Sequence, residues 1–173
     1  AARRGARVQV IDPNGPGAGA SGGLVGALAP HAPEGWAPAK ALQLQALLMA
    51  PDWWSGVEAA SGLPSGYLRS GRVQPLKDAR AVEQAHARAA GAQTLWQGQA
   101  LWRVRPADQP GDPTSPTGMV AEDTLTARLH PRMALAALVA AIRAHGGTVE
   151  RTGTARGPLI HATGAAGLRD LSN

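Results

Sequence analysis

Asp12 closes an apolar run, Arg7 to Asp12 (RVQVID), in which Val8, Val10 and Ile11 read as a buried β-strand. A carboxylate at the end of such a strand can accept hydrogen bonds from the hydroxyl pair of a ribose. It can equally open a turn before Pro13. Directly after it, Pro13 to Gly23 (PNGPGAGASGG) is a glycine-rich loop. Glycines let backbone N–H groups approach a phosphate closely, and Ser21 adds a hydroxyl donor. A bare glycine-rich stretch is a flexible loop; its place behind an acid-ended strand favours the phosphate reading. A third stretch lies near the other end. Pro158 to Ala162 (PLIHA) predicts a short buried strand, Thr163 to Gly167 (TGAAG) a glycine turn, and Leu168 onward a helix. Such a turn aims backbone donors and the positive end of a helix at an anion, or it is a tight connection with no ligand.

The elements that must position these residues follow from periodicity and capping. Ala1 to Gly5 reads as a helix end with Gly5 as its stop. A helix end running into a strand is the second half of a βαβ unit, whose first half would precede residue 1. Leu24 to Pro30 predicts a strand or extended segment. Ala37 to Ala60 is helical in character, with Pro51 interrupting it and Asp52 capping a second helix that holds Trp53, Trp54 and Val57. Gly66 to Leu76 predicts a strand or hairpin. Asp78 caps a helix over Ala79 to Ala90 that ends at Gly91, and Gln93 to Pro106 alternates weakly. Asp108 to Gly118 (DQPGDPTSPTG) is loop. Thr124 to Leu129 predicts a strand, Pro131 a helix start, and Met133 to Ala144 an Ala/Leu/Val/Ile helix ended by Gly146 and Gly147, with another strand from Thr148 to Glu150. There is no internal repeat.

Composition narrows the chemistry. The chain has 173 residues, 44% of them apolar, with five Trp, one Tyr and no Phe, so a core must come from Ala, Leu and Val. The absence of Cys excludes disulfides, thiolate metal sites and a Cys nucleophile, and fits a reducing cytoplasm. No apolar run approaches the ~20 residues that span a bilayer. The net charge of +5 comes almost entirely from scattered arginines, which read as a solvated basic surface rather than a nucleic-acid patch. His31, His86, His130, His145 and His161 lack paired metal-ligand spacing, so no metal site is expected. His86 and His145 read as surface residues, His31 as a loop histidine that could face a ligand, and Trp53 and Trp54 as core.

The helix end before RVQVID, the loop ending in ASGG, the helix PRMALAALVAAIRAHGG and the segment IHATGAAG, in that order, resemble the FAD-dependent oxidoreductases of the D-amino-acid oxidase and glycine oxidase group. The resemblance is patchy between residues 50 and 120. Its most specific piece is Asp12 with Ala20, Ser21, Gly22 and Gly23; the family usually has Glu where Asp12 stands. It implies a ribose contact from Asp12, a flavin pyrophosphate and ring near Ala20 to Gly23, and an approach to the adenosine side by Thr163 and Gly164. The family also begins with a strand and a G-x-G-x-x-G turn and continues well beyond the equivalent of Asn173. The sequence therefore resembles a piece of such a protein, expected to be inactive alone.

The implied fold is α/β: a Rossmann-like, mostly parallel FAD-binding domain from residues 1–60 and 124–173, with residues 61–123 part of an inserted β-rich substrate domain. The implied function is oxidation of an amine or amino acid, with hydride passing from the carbon beside nitrogen to FAD and the imine then hydrolysed. This makes a small-molecule amine the expected partner and identifies no catalytic residue. Two alternatives stand beside it: the flavin domain of a tRNA-modifying enzyme, for which the basic charge is the support, and a non-catalytic interaction module.

Overall fold

A computed structural model of the chain describes residues 1–164 and Gly167. The expected helix from Leu168 lies outside the described residues.

Among the described residues there are seven strands: β1 (Gln9–Ile11), β2 (Gly26–Leu28), β3 (Arg72–Pro75), β4 (Trp102–Pro106), β5 (Met119–Asp123), β6 (Ala127–Leu129) and β7 (Thr148–Glu150). Among the described residues three α-helices join them: α1 (Pro38–Ser61), α2 (Ala79–Trp96) and α3 (Pro131–Ala144). The fold is mixed α/β. Among the described residues only β1 and β7 pair in parallel; β2 pairs antiparallel with β6, and β5 lies antiparallel between β3 and β4. The expectation of a mostly parallel sheet is thus corrected: β4 and β5 are joined by a loop without the crossover helix that a parallel pair needs, and β2–β6 and β3–β5, though distant in sequence, also meet antiparallel.

Local chemistry explains where the helices begin. The Asp78 carboxylate accepts from the Ala81 N–H at 2.8 Å and caps α2. Pro131 occupies the first turn of α3, where its missing N–H costs nothing, and His130 Nδ1 accepts from the Met133 N–H at 3.4 Å. The N-terminal 3₁₀ turn Ala2–Arg4 stops at Gly5 with φ 82°, and Gly146 turns left-handed just beyond α3.

Three expectations are overturned by packing. First, α1 runs unbroken through Pro51 for 24 residues, and Asp52 caps nothing. A proline inside a helix costs about 3 kcal/mol. Leu47 on one side of it packs with Trp96, Trp102 and Leu125, and Val57 on the other with Ala137 and Ala141. Each such burial contributes roughly 1.5–3 kcal/mol, so one continuous helix outweighs two short ones. Second, α2 passes Gly91 and ends at Trp96, followed by Gln97 at φ 48°. Gly91 is there for closeness: a Cβ on it would lie 2.7 Å from the Pro33 carbonyl oxygen. Third, Pro158–Ala162 forms no strand, with Leu159 58% and Ile160 87% exposed. An apolar run becomes a buried strand only where a paired edge and a covered face receive it, and among the described residues nothing does.

The two interior helix glycines predict opposite responses to alanine. Gly56→Ala gains about 1 kcal/mol of helix propensity and meets only the tip of the Arg3 side chain, at 3.3 Å. It should raise Tm by roughly 2–4 °C. Gly91→Ala gains the same propensity but drives its Cβ into backbone, an overpacking cost of about 1–3 kcal/mol. It should lower Tm or leave it unchanged. Thermal unfolding of the two variants checks the signs; a rise in Tm for Gly91→Ala contradicts the packing argument.

The Asp108 to Gly118 loop is tied down rather than loose. Arg105 from β4 holds Asp112 through two bonds, at 2.6 and 2.8 Å, and also reaches Glu122 on β5. Ser115 and Thr117 donate to the carbonyl of Leu76. The Arg105 guanidinium lowers the Asp112 carboxyl to about 2 and also holds Glu122 below the usual carboxylate range. A carboxyl lowered on folding adds stability that is present above its unfolded value of about 4 and is lost as pH falls through about 2. Asp112→Asn should therefore flatten the acid limb of stability between about pH 4 and pH 2. Urea midpoints across that window measure it; an unchanged acid limb contradicts the clamp.

Candidate cofactor site

The groove of interest is built where β1 ends. The Asp12 N–H donates to the Glu150 carbonyl at 2.9 Å, which ties the end of β1 to the end of β7. The chain then turns: the N–H groups of Asn14 and Gly15 both reach Asp12 Oδ1 at 3.2 Å. Asp12 thus serves as a turn opener, and that use occupies one carboxylate oxygen. Among the described residues Oδ2 accepts no bond, and Asp12 is only half-buried.

The glycine loop then folds back on itself. Gly15 and Gly17 have φ of 86° and 89°, which favours glycine. Gly22 crosses Gly17 so closely that a Cβ on Gly22 would lie 2.1 Å from the Gly17 carbonyl oxygen. Ala20–Gly22 form a single 3₁₀ turn, and Gly22 is half-buried while Ala20, Ser21 and Gly23 are exposed. The loop rests on the first half of α3: Arg132 Nε donates to the Gly22 carbonyl at 2.8 Å, and a Cβ on Gly17 would meet Leu135 at 3.1 Å.

Between loop, α3 and β7 lies an open groove of about 890 Å³. Its lining brings together Asp12, Gly15, Gly17 and Gly22 with Arg132, Arg143 and Arg151. Thr163 and Gly164 are exposed and do not line it. His31 is also exposed; its N–H donates to Gln43, and it lines neither this groove nor the smaller apolar one of about 360 Å³ between β2 and α1. Trp53 and Trp54 line that second groove, Trp53 43% exposed, so the expectation of two core tryptophans holds only for Trp54, which packs against Val57.

The three arginines were not singled out from sequence as site residues, although two carry a legible signal. Arg132, Leu135, Ala136, Val139, Ala140 and Arg143 all line the groove, and their spacing of 3, 4, 7, 8 and 11 is one stripe of a helix. Arg151 follows β7 and lies over Gly15, with a Cβ there 3.6 Å from its Nη2. None of the three pairs with a carboxylate among the described residues. Unpaired guanidiniums beside glycine backbone suit an anion with several oxygens. Among the described residues no group of His, Asp or Glu is placed to hold a metal ion, and no helix is long and apolar enough to cross a membrane.

A mixed α/β fold with an acid-ended strand, a glycine loop and a basic groove describes a nucleotide-cofactor protein. The sequence profile of the family described as FAD dependent oxidoreductase matches residues 1–169, and the chain belongs to that family. No curated protein sequence matches it. Among solved structures, glycine oxidase from Geobacillus kaustophilus is 18% identical with a TM-score of 0.61, over 86% of this chain and 40% of that one. L-Amino acid deaminase from Proteus myxofaciens is 15% identical with a TM-score of 0.64, over 87% and 34%. Iminodiacetate oxidase from a Chelativorans species is 23% identical with a TM-score of 0.57, over 86% and 41%. At these identities the likeness is one of fold, and the chain spans about a third to two fifths of the length of these proteins.

FAD is the cofactor of this family, and the groove fits it. One Asp12 carboxylate oxygen accepts no bond among the described residues, and the Arg143 and Arg151 guanidiniums beside it are neutralised by no carboxylate there, a donor and acceptor set that suits a ribose and a diphosphate.

Proposed function

We propose that the chain carries part of the FAD site of an amine or amino-acid oxidoreductase. The single observation behind this reading is the groove in which the free oxygen of Asp12, the glycine loop and three unpaired guanidiniums face one space. Asp12 holds the adenosine ribose, and the Gly15–Gly23 loop with Arg143 and Arg151 serves the diphosphate side. Ala20, Ser21 and Gly23 sit on the exposed turn through which the loop leaves the groove, and we assign them to the flavin side. Thr163 and Gly164 are assigned to the adenosine side.

Residues 1–60 and 124–173 belong to the cofactor domain in this reading. Residues 61–123 are part of the substrate domain; they supply the β3–β5–β4 sheet and α2. FAD, when bound, supplies a two-electron acceptor for oxidising a carbon–nitrogen bond. The chain's own residues bind and orient it.

The structural neighbours are named for glycine, L-amino acids and iminodiacetate. All three contain an amine beside a carboxylate, and this is the substrate class we assign. The test is anaerobic mixing of the full-length gene product with glycine, sarcosine, iminodiacetate and D- and L-amino acids. Bleaching of the visible flavin band by one of them is the expected result. A flavin that all of them leave oxidised overturns the assignment.

A further inference from the structure

Arg132 reaches the glycine loop from 110 positions away, with its Nε 2.8 Å from the Gly22 carbonyl oxygen. Among the described residues every other hydrogen bond of Pro13 to Gly23 is made within residues 12–23. The loop's own bonds shape its turns but cannot set where the turns stand relative to α3. The base from which Arg132 reaches is itself held. His130 caps the helix, Pro131 restricts the first turn, and Gly66, at φ 70°, packs so tightly that a Cβ on it would lie 2.7 Å from the His130 Cβ. Leu135, one turn on, backs Gly17 at the point where Gly17 and Gly22 cross.

We infer that Arg132 is a positioning residue for the cofactor: through its Nε–H bond to the Gly22 carbonyl it sets the Ala20–Gly23 turn against α3 and so holds the loop in its binding shape. This rests on the FAD reading of the groove. The guanidinium acts here as a donor at a fixed reach, not as a charge aimed at phosphate. Glutamine carries its amide nitrogen the same number of bonds from Cβ as arginine carries Nε, and it has no charge. Lysine keeps the charge but moves the donor one atom further out.

The experiment measures FAD affinity of the full-length protein and its Arg132→Ala, Arg132→Gln and Arg132→Lys variants by quenching of flavin fluorescence, with Tm of each apo-protein alongside. Loss of one charge-assisted bond corresponds to a weakening of about tenfold for Arg132→Ala. The apo Tm should stay near that of the native protein, because the bond is exposed. Arg132→Gln should recover most of the affinity, and Arg132→Lys should recover less. Rescue by Lys and not by Gln shows a direct charge effect and overturns the inference, as does Arg132→Gln binding as weakly as Arg132→Ala. Native-like binding by Arg132→Ala overturns it too. If the native protein binds no FAD, the cofactor reading itself fails, and the inference with it.

Discussion

Gly22→Ala is expected to weaken FAD binding by about tenfold to a hundredfold while leaving the stability of the apo-protein nearly unchanged. The argument is steric. A methyl group on Gly22 would stand 2.1 Å from the Gly17 carbonyl oxygen, and that neighbour is backbone, which cannot rotate away. Gly17 in turn is backed by Leu135 at 3.1 Å. The loop must therefore open where Gly22 crosses Gly17. Without cofactor it can do so cheaply, because Ala20, Ser21 and Gly23 are exposed. Binding then has to close it again against an overpacking cost of about 1–3 kcal/mol, and each 1.4 kcal/mol is a factor of ten in affinity. Gly19→Ala is the control: its φ is −94°, and a Cβ there meets nothing within 4 Å. Equilibrium FAD titration of both variants reads the effect. Equal affinities for the two contradict the account of the loop.

The largest effect on stability is expected from Asp123→Ala. Asp123 is 3% exposed and sits at the end of β5, in register with Arg72 on β3 and Trp102 on β4. Its carboxylate accepts four bonds: from the N–H groups of Leu125 and Thr126, from the Thr126 hydroxyl, and from Arg72 Nε at 3.0 Å. The Arg72 guanidinium also lies 5.9 Å from the centre of the Trp102 ring, which meets Trp96 edge-on in the core. One side chain thus joins three strands to the largest apolar cluster. Removing this buried acceptor costs about 3–5 kcal/mol, because the buried Leu125 and Thr126 donors lose their bonds without regaining water, and Arg72, 29% exposed, regains it only in part. For a chain of this size that corresponds to a Tm lower by roughly 6–20 °C. Asp123→Asn keeps acceptance at one oxygen but sets an amide against Arg72, so it should fall between. Thermal melts order the three proteins; an Asp123→Ala variant that melts with the native protein contradicts the assignment.

The parts of this structure that were legible in the sequence are those decided by neighbours along the chain. The strand ending at Asp12, the cap at Asp78, the Pro131 start and the Gly146 stop each rest on a few adjacent residues. The illegible parts are those decided by contacts far away. Pro51 breaks helices locally, yet Leu47 and Val57 carry α1 past it into two separate clusters. Gly91 has the composition of a stop but serves a close crossing with Pro33. The run from Met119 to Asp123 becomes the central strand of its sheet because β3 and β4 flank it, a pairing that its own pattern does not announce. Leu159 and Ile160 look like core and stand exposed.

In the candidate site, Asp12 and the glycines were visible as local chemistry. The arginine stripe on α3 was hidden inside an alanine-rich helix, and only the period of 3.6 connects Arg132 to Arg143.

The central claim is that this chain contributes to an FAD site, and the most direct test is the visible absorbance spectrum of the purified full-length gene product, before and after addition of FAD. The account predicts flavin bands that stay with the protein through gel filtration, and that weaken in Gly22→Ala. A protein that is colourless as purified and retains no flavin after incubation with FAD contradicts it.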